Sequence, residues 1–146
     1  MPAQKLQGAS VVAMTKTMPT LEPNCPLCIL PADRILLQEE LALAVRDAFP
    51  VSPGHTLLIP RRHVCSFFET TKEERGALLE LLDAAKEAIE QDHAPDGYNI
   101  GINDRPAAGQ TVPHLHVHVI PRYSGDHPDP RGGVRWVLPS KANYWS

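Results

Sequence analysis

The sequence predicts an α+β domain in which an antiparallel sheet of about five strands carries one long helix and a shorter one. Short apolar runs alternate with turns rich in proline and glycine, which is typical of strands joined by tight connections. One long segment instead spaces its apolar residues as a helix does. Since the 146 residues are 42% hydrophobic and 21% charged, one globular domain with helical cover over a sheet is expected.

The first three strands are predicted at residues 34–38, 41–47 and 55–59. The first two flank a pair of glutamates, which favours a hairpin. The segment Phe-Pro-Val-Ser-Pro-Gly at 49–54 contains the turn-forming residues that separate the second strand from the third.

The long helix is predicted to begin after Thr71, because Glu74 three residues later completes a capping-box pattern. Apolar residues at helical spacing then define one face, and they are Leu78, Leu82, Ala85 and Ile89. The turn sequence Pro-Asp-Gly at 95–97 ends the helix, and the fourth and fifth strands are predicted at 98–103 and 114–120.

Composition excludes several classes of function. With 17 acidic and 14 basic residues the net charge is -3, whereas nucleic-acid binding usually requires a basic surface. No apolar run approaches the roughly 18 residues of a membrane span or has the form of a signal peptide, so a cytoplasmic protein without membrane partners is expected. Residues 1–20 lack periodicity and are predicted to be an N-terminal tail before one domain at 21–146.

Three histidines alternate with apolar residues at 114, 116 and 118. Because successive side chains of a strand point to opposite faces, these imidazoles should share one face, about 6.6 Å apart. Two interpretations are open at this point. The row either holds a catalytic metal, or its central neutral histidine attacks an electrophile such as phosphorus while its neighbours position the substrate and handle protons.

The residues before the row favour the second interpretation. Gly109, Gln110 and Thr111 offer a flexible backbone, an amide and a hydroxyl, which suit a phosphate site. A metal hydrolase would use a carboxylate as general base nearby, and residues 106–120 contain none.

The segment from 103 to 122 resembles the histidine triad (HIT) family, whose hallmark is His-x-His-x-His after Gly-Gln-Ser/Thr. A second signature of that family, Gly-His, an apolar strand and Pro-x-x-His, stands at residues 54–63. The segment 129–136 is also similar to the C-terminal extension of bacterial members close to the dinucleoside-polyphosphate hydrolase branch. The resemblance implies a HIT-like sheet, with residues 21–146 forming a HIT domain and its C-terminal extension.

The resemblance also implies a set of site residues. His116 would be the nucleophile that attacks the α-phosphorus of a nucleotide and forms a nucleotidyl-histidine, and His118 and His55 would line the phosphate site as further catalytic residues. The substrate-binding positions would be Asp47 for the ribose, Asn103 as an active-site amide, and Gln110 and Thr111 for the phosphate and leaving group.

A zinc site is expected from Cys25 and Cys28, because the C-x-x-C spacing lets two thiolates bind one metal ion. In zinc-binding HIT relatives the other two ligands are the histidines matched here by His63 and His114. Cys65, two residues after His63, is an alternative ligand. Zinc would then be structural, one ion per chain, and Mg²⁺ would at most accompany the substrate.

The leading functional hypothesis is a hydrolase of dinucleoside polyphosphates or related nucleotidyl compounds. The alternatives are a purine nucleoside phosphoramidase, a nucleotidyltransferase and a non-catalytic nucleotide-binding module. Transferring relatives typically carry Gln at the position of His118, which favours hydrolysis, and a binding module has no need of His116. The resemblance further implies a homodimer.

Overall fold

The computed structural model describes residues 20–145, and it contains one five-stranded sheet. The strands are β1 (Ile35–Gln38), β2 (Ala42–Arg46), β3 (Thr56–Pro60), β4 (Gly97–Ile102) and β5 (Val117–Arg122), and the helices are α1 (Lys72–Asp92) and α2 (Pro139–Ala142). The predicted N-terminal tail lies outside the described residues except for Thr20. No helix within residues 20–145 is long and apolar enough to span a membrane.

The strands are ordered β1-β2-β3-β5-β4, and every neighbouring pair is antiparallel. This confirms the predicted α+β class, with its long helix and its shorter one. Strand β5 lies between β3 and β4, so the histidines near it occupy the interior of the sheet and not its edge.

The two faces of the sheet have different partners. Helix α1 covers one face, where its buried residues Leu78, Leu81, Ala85 and Ile89 pack against Leu58, Leu115, Val117 and Val119. The other face carries a smaller apolar cluster that includes Cys25, Leu27, Val45 and Leu57. Since Leu57 pairs with His118, the predicted histidine row lies on this second face, opposite the helix.

The capping box at the start of α1 is present as predicted. The Glu74 amide donates to Thr71 Oγ1 at 3.0 Å, and the Thr71 amide donates to Glu74 Oε1 at 2.9 Å. The apolar face differs in one position, because Leu81 is buried and Leu82 is only half-buried. Leu81 and Leu82 lie on either side of the line along which α1 contacts the sheet, and the sheet packs against Leu81.

The fifth strand was predicted from residue 114, which was wrong by three residues, since β5 begins at Val117. Pro113 has no amide hydrogen, and the His114 amide donates to Val112 O at 2.8 Å in a tight turn. The Leu115 amide then donates to Val64 O at 2.7 Å, so this stretch pairs with the segment after β3. Alternation of side chains continues through it, with Leu115 and Val117 toward α1.

Gly54 turns the chain into β3 and holds the backbone close to its neighbours. Its φ of 88° lies in the left-handed region, and an added Cβ would lie 3.1 Å from His93 and 3.2 Å from Ile89. Only glycine fits this turn, which places His55 directly before β3.

Candidate active site and metal centre

Four predicted ligands converge on one point beside the sheet. Ligand atoms of Cys25, Cys28, His63 and His114 all lie within 4.8 Å of one another. Cys28 Sγ lies 3.2 Å from His63 Nδ1 and 3.4 Å from His114 Nδ1, and Cys25 Sγ lies 3.5 Å from His114 Nδ1. The group is half-buried to buried.

Local structure brings these ligands together from three parts of the chain. The amides of Cys28 and Ile29 both donate to Cys25 O, which folds the C-x-x-C into a turn with both sulfurs on one side. His63 follows β3, and His114 precedes β5. A shared ion would therefore tie the segment before β1 to the ends of two central strands.

The donor set fits zinc. A tetrahedral ion with bonds of about 2.3 Å to sulfur and 2.0–2.1 Å to nitrogen separates S from N by about 3.6 Å, close to the observed 3.2–3.5 Å. His114 Nε2 lies 2.8 Å from Pro60 O, so it carries the proton and donates, which leaves the Nδ1 lone pair free for a metal. Burial lowers the pKa of His114, which favours the neutral ligand form.

Cys65 does not join this group. Its Sγ donates to Pro113 O at 2.9 Å. This contact turns the thiol away from the four converging ligand atoms.

His116 presents one free nitrogen to a neighbouring cavity. Its Nδ1 lies 2.8 Å from His114 O, which can only accept, so Nδ1 carries the proton and Nε2 carries a lone pair. The cavity has a volume of about 300 Å³ and is lined by His116 and His118 together with Asp47, Asn103 and Thr111. An imidazole in this tautomer can act as a nucleophile from Nε2.

His55 fixes the tautomer of His118 in turn. The Val51 amide donates to His55 Nδ1 at 3.1 Å, so His55 carries its proton on Nε2. That N–H donates to His118 Nδ1 at 3.0 Å, with Asp47 Oδ2 as a second acceptor 3.4 Å away. His118 therefore has its own proton on Nε2, where it can act as a donor.

Burial keeps both of these histidines neutral near pH 7. Burial lowers the pKa of His118 to about 4, and the nearby imidazoles of His116 and His55 act in the same direction. Burial also lowers the pKa of His55, although the Asp47 carboxylate opposes this. The pair thus supplies N–H donors and no fixed positive charge at neutral pH.

Asp47, His55 and His118 form a second group that could be taken for a metal site, because their ligand atoms lie within 4.8 Å of one another. The hydrogen bonds argue against metal there. His55 Nδ1 already accepts from a backbone amide, so a metal on Nε2 would require an imidazolate. Within the described residues, the geometry gives no support to a Mg²⁺ site at this point.

Gln110 was expected to contact phosphate, and the structure gives its side chain other partners. Its Oε1 accepts from the Arg105 amide at 2.7 Å, and its Nε2 donates to Cys65 O and to Val112 O. All three bonds fix the loop before the row. Thr111, the adjacent predicted residue, does line the cavity.

Sequence reasoning missed several residues that shape this cavity. Arg34, Phe49, Leu57 and Val112 line it, and the Val51 amide sets the His55 tautomer. Leu57 carries a detectable signal, because it lies two residues after His55 in the predicted strand 55–59. A backbone donor such as that of Val51 leaves no trace in side-chain patterns.

Comparison with known proteins identifies the family. Residues 31–125, about two thirds of the chain, match the HIT domain. The chain belongs to the HIT family. A HIT-like protein of Synechococcus elongatus without a described activity is 41% identical over 91 residues, which are 62% of this chain and 79% of that protein.

Relatives with named activities include a hydrolase and a phosphorylase. The asymmetrical bis(5'-nucleosyl)-tetraphosphatase of Schizosaccharomyces pombe is 38% identical over 93 residues, 64% of this chain and 51% of that protein. The AP-4-A phosphorylase of Mycobacterium tuberculosis is 34% identical over 93 residues, 63% of this chain and 48% of that protein. The chain thus spans about half the length of each.

A solved HIT structure adds a metal to the comparison. The zinc-bound histidine triad family protein of Mycobacterium smegmatis superposes with a TM-score of 0.63 at 35% identity. The match covers 82% of this chain and 94% of that one. The relationship therefore extends well beyond the histidine row itself.

Proposed function

We propose that this HIT protein is a nucleotide hydrolase that acts on dinucleoside polyphosphates or related nucleotidyl compounds through a covalent nucleotidyl-histidine at His116. The observation that carries the proposal is the hydrogen bond from His116 Nδ1 to His114 O, which aims an unprotonated Nε2 at the cavity. His118 stands beside it, with ring centroids 5.0 Å apart.

In the first step, His116 Nε2 attacks the α-phosphorus and forms a P–N bond. The P–O bond to the leaving nucleotide breaks, and its electron pair stays on the leaving oxygen, which departs as a phosphate anion. His118 Nε2–H donates a hydrogen bond to that oxygen and keeps its proton. The positive charge that develops on the His116 ring is stabilised by His114 O, which accepts the Nδ1 proton's hydrogen bond.

In the second step, water attacks the same phosphorus and the P–N bond breaks, which returns the electron pair to His116 Nε2. The attacking water releases one proton to solvent, and its oxygen stays on the product nucleotide. His55 holds His118 in the tautomer whose Nε2–H donates to the phosphate oxygens in both steps.

The nucleoside that remains on His116 would lie in the 300 Å³ cavity. Asp47 Oδ1 accepts from the Phe49 amide at 2.8 Å, which fixes the carboxylate at the cavity wall. Oδ2 would accept from a ribose hydroxyl in addition to His55 Nε2–H, which lies 3.4 Å away. Asn103 and Thr111 line the same cavity and offer an amide and a hydroxyl to the ribose and phosphate.

Zinc would be held by Cys25, Cys28, His63 and His114, and it would supply folding energy at a closed site rather than reaction chemistry. The zinc-bound relative and the observed ligand spacing support this assignment. His114 then acts on the reaction through its carbonyl oxygen, which orients His116.

Phosphorolysis is the second candidate, because one relative is named a phosphorylase. The two reactions differ in products. Hydrolysis of diadenosine tetraphosphate at the α-phosphorus gives AMP and ATP, whereas attack by inorganic phosphate gives ADP and ATP.

One experiment distinguishes these reactions. Purified protein is incubated with diadenosine tetraphosphate, with and without phosphate, and separately with adenosine phosphoramidate. We expect AMP and ATP at a rate independent of phosphate. Formation of ADP only when phosphate is present would assign a transferase, and turnover of the phosphoramidate alone would assign a phosphoramidase. The implied homodimer stays a prediction, which light scattering would check.

A further inference from the structure

A second and larger cavity adjoins the histidine row. Its volume is about 620 Å³, within the range of small-molecule sites. Its lining includes residues of β4, β5, the β2–β3 loop and the C-terminal segment, among them Val51, Asn99, Ile120, Arg122, Val134 and Trp136. Residues of the segments 103–122 and 129–136 line it, but nothing in their sequence patterns indicates a cavity.

The cavity continues the row along the same strand and face. Ile120 and Arg122 follow His118 at successive alternate positions of β5, so Ile120 lies about 6.6 Å beyond His118. Asn99 pairs with Ile120 across β4 and points to the same side. A molecule that extends past His118 along the strand therefore contacts Ile120 and Asn99, which form the floor of the larger cavity.

One loop divides the two cavities. Phe49 lines the 300 Å³ cavity, and Val51, two residues later, lines the larger one. The Val51 amide also binds His55, whose Nε2 contacts His118. The two cavities thus flank the His55–His118 pair, one on each side of the reacting centre.

The outer wall of the larger cavity comes from the C-terminal segment. Trp136 is 45% exposed, and its Nε1 donates to Arg131 O at 2.8 Å, which fixes the orientation of the indole. Gly133 passes over β4 so closely that a Cβ would lie 3.1 Å from Asn99 Nδ2. The segment is therefore packed against the sheet and presents an aromatic ring to the cavity.

The chemistry of this lining suits a nucleobase better than a phosphate. Arg122 is already bound to both oxygens of Asp126 and to Asn99 Oδ1, so its charge is offset. His127 and Asp129 also line the cavity, and the Asp129 carboxylate is bound by Arg131. Most of the remaining surface is apolar, from Val51, Ile120, Val134 and the indole of Trp136. The flat ring of any nucleobase can stack on an aromatic side chain such as this indole.

We infer that the larger cavity binds the nucleoside of the leaving nucleotide, with its base against Trp136, while the phosphate chain crosses His116 and His118. The inference rests on the proposed function and narrows it to substrates with a nucleoside at each end of the phosphate chain. A substrate without a second nucleoside does not use this cavity.

The test compares two substrates on Trp136→Ala. We expect kcat/KM for diadenosine tetraphosphate to fall about tenfold, since stacking is lost, and kcat/KM for adenosine phosphoramidate to stay within twofold. Trp136→Phe should restore most of the loss. Val137→Ala is the matched control, because Val137 is 75% exposed in the same segment and does not line the cavity.

A second variant, Ile120→Trp, fills the cavity from its floor, and it should show the same selectivity between the two substrates. An equal fall for both substrates, or no fall for the dinucleotide, overturns the second-nucleoside site and leaves the proposed hydrolase intact. If the unaltered protein turns over neither substrate, the proposed function fails, and the inference fails with it.

Discussion

Replacing His114 and His118 separately by alanine should give opposite phenotypes, although the two residues stand at equivalent ends of the row. His114 is fully buried, and its Nε2–H is the donor to Pro60 O. His114→Ala leaves that buried carbonyl unpaired, at about 1–3 kcal/mol, and opens a cavity that costs roughly 2 kcal/mol more. The free energy of unfolding should therefore fall by about 3–5 kcal/mol before any loss of metal is counted.

That loss corresponds to a melting temperature lower by roughly 10–15 °C for a domain of this size. His118→Ala should cost about 1 kcal/mol or less, because His55 keeps Asp47 Oδ2 as an acceptor at 3.4 Å. Its turnover should instead fall by about 10²–10³, the usual effect of removing one hydrogen-bond donor to the charge that develops in the transition state.

Both variants would be assayed for zinc per chain by elemental analysis, for melting temperature by calorimetry and for single-turnover rate. We expect His114→Ala to lose zinc and stability, and His118→Ala to keep both. If His118→Ala loses the metal while His114→Ala retains it and melts normally, the roles of metal ligand and phosphate-site residue have been assigned to the wrong ends of the row.

Three further predictions concern the same centre. His116→Asn should abolish turnover and leave nucleotide affinity and melting temperature near those of the unaltered protein, and residual kcat within tenfold would exclude covalent catalysis. Cys28→Ser should lower the zinc content and melting temperature, whereas Cys65→Ser should change neither. Equal decreases in melting temperature would contradict the assignment of Cys28, and not Cys65, as a zinc ligand. Because the pKa of His118 is lowered to about 4, the unfolded chain binds a proton between pH 4 and 6.5 that the folded chain does not. The free energy of unfolding should therefore decrease by on the order of 1–2 kcal/mol as the pH is lowered from 7 to 5, and His118→Ala should flatten this slope in denaturant titrations at the two pH values.

The fold was predictable because its signals are local. The capping residues of α1, the turn before Gly54 and the apolar alternation of the strands each act within a few residues. The start of β5 was missed because strand pairing depends on distant partners. Whether residues 114–116 join the sheet is decided by Val64 O, which binds the Leu115 amide from outside the sheet.

The candidate site was predictable where residue type alone limits the chemistry. Two cysteines and two histidines in the spacing of a known family leave few alternatives to a metal, and they do converge. Gln110 illustrates the limit. Its side chain is long enough for the amide to reach either a phosphate or the loop. In the structure the amide binds Cys65 O, which is 45 residues away in the chain and so leaves no local signal.

The segment 129–136 is recognisable in the sequence as similar to a C-terminal extension, but nothing in it indicates the larger cavity. Its aromatic wall is formed by Trp136, and the segment that carries this residue folds back over β4 after two turns at Gly132 and Gly133. Side-chain periodicity does not report such a return, because the 3₁₀ geometry of residues 133–137 has no sustained face.

The stereochemical course at phosphorus is a direct test of covalent catalysis by His116. The substrate would be a dinucleoside polyphosphate made chiral at the α-phosphorus with sulfur and hydrolysed in ¹⁸O-labelled water. Attack by His116 followed by attack of water gives two inversions, so we expect net retention of configuration. Net inversion would mean a single direct attack by water, and it would contradict the nucleotidyl-histidine intermediate.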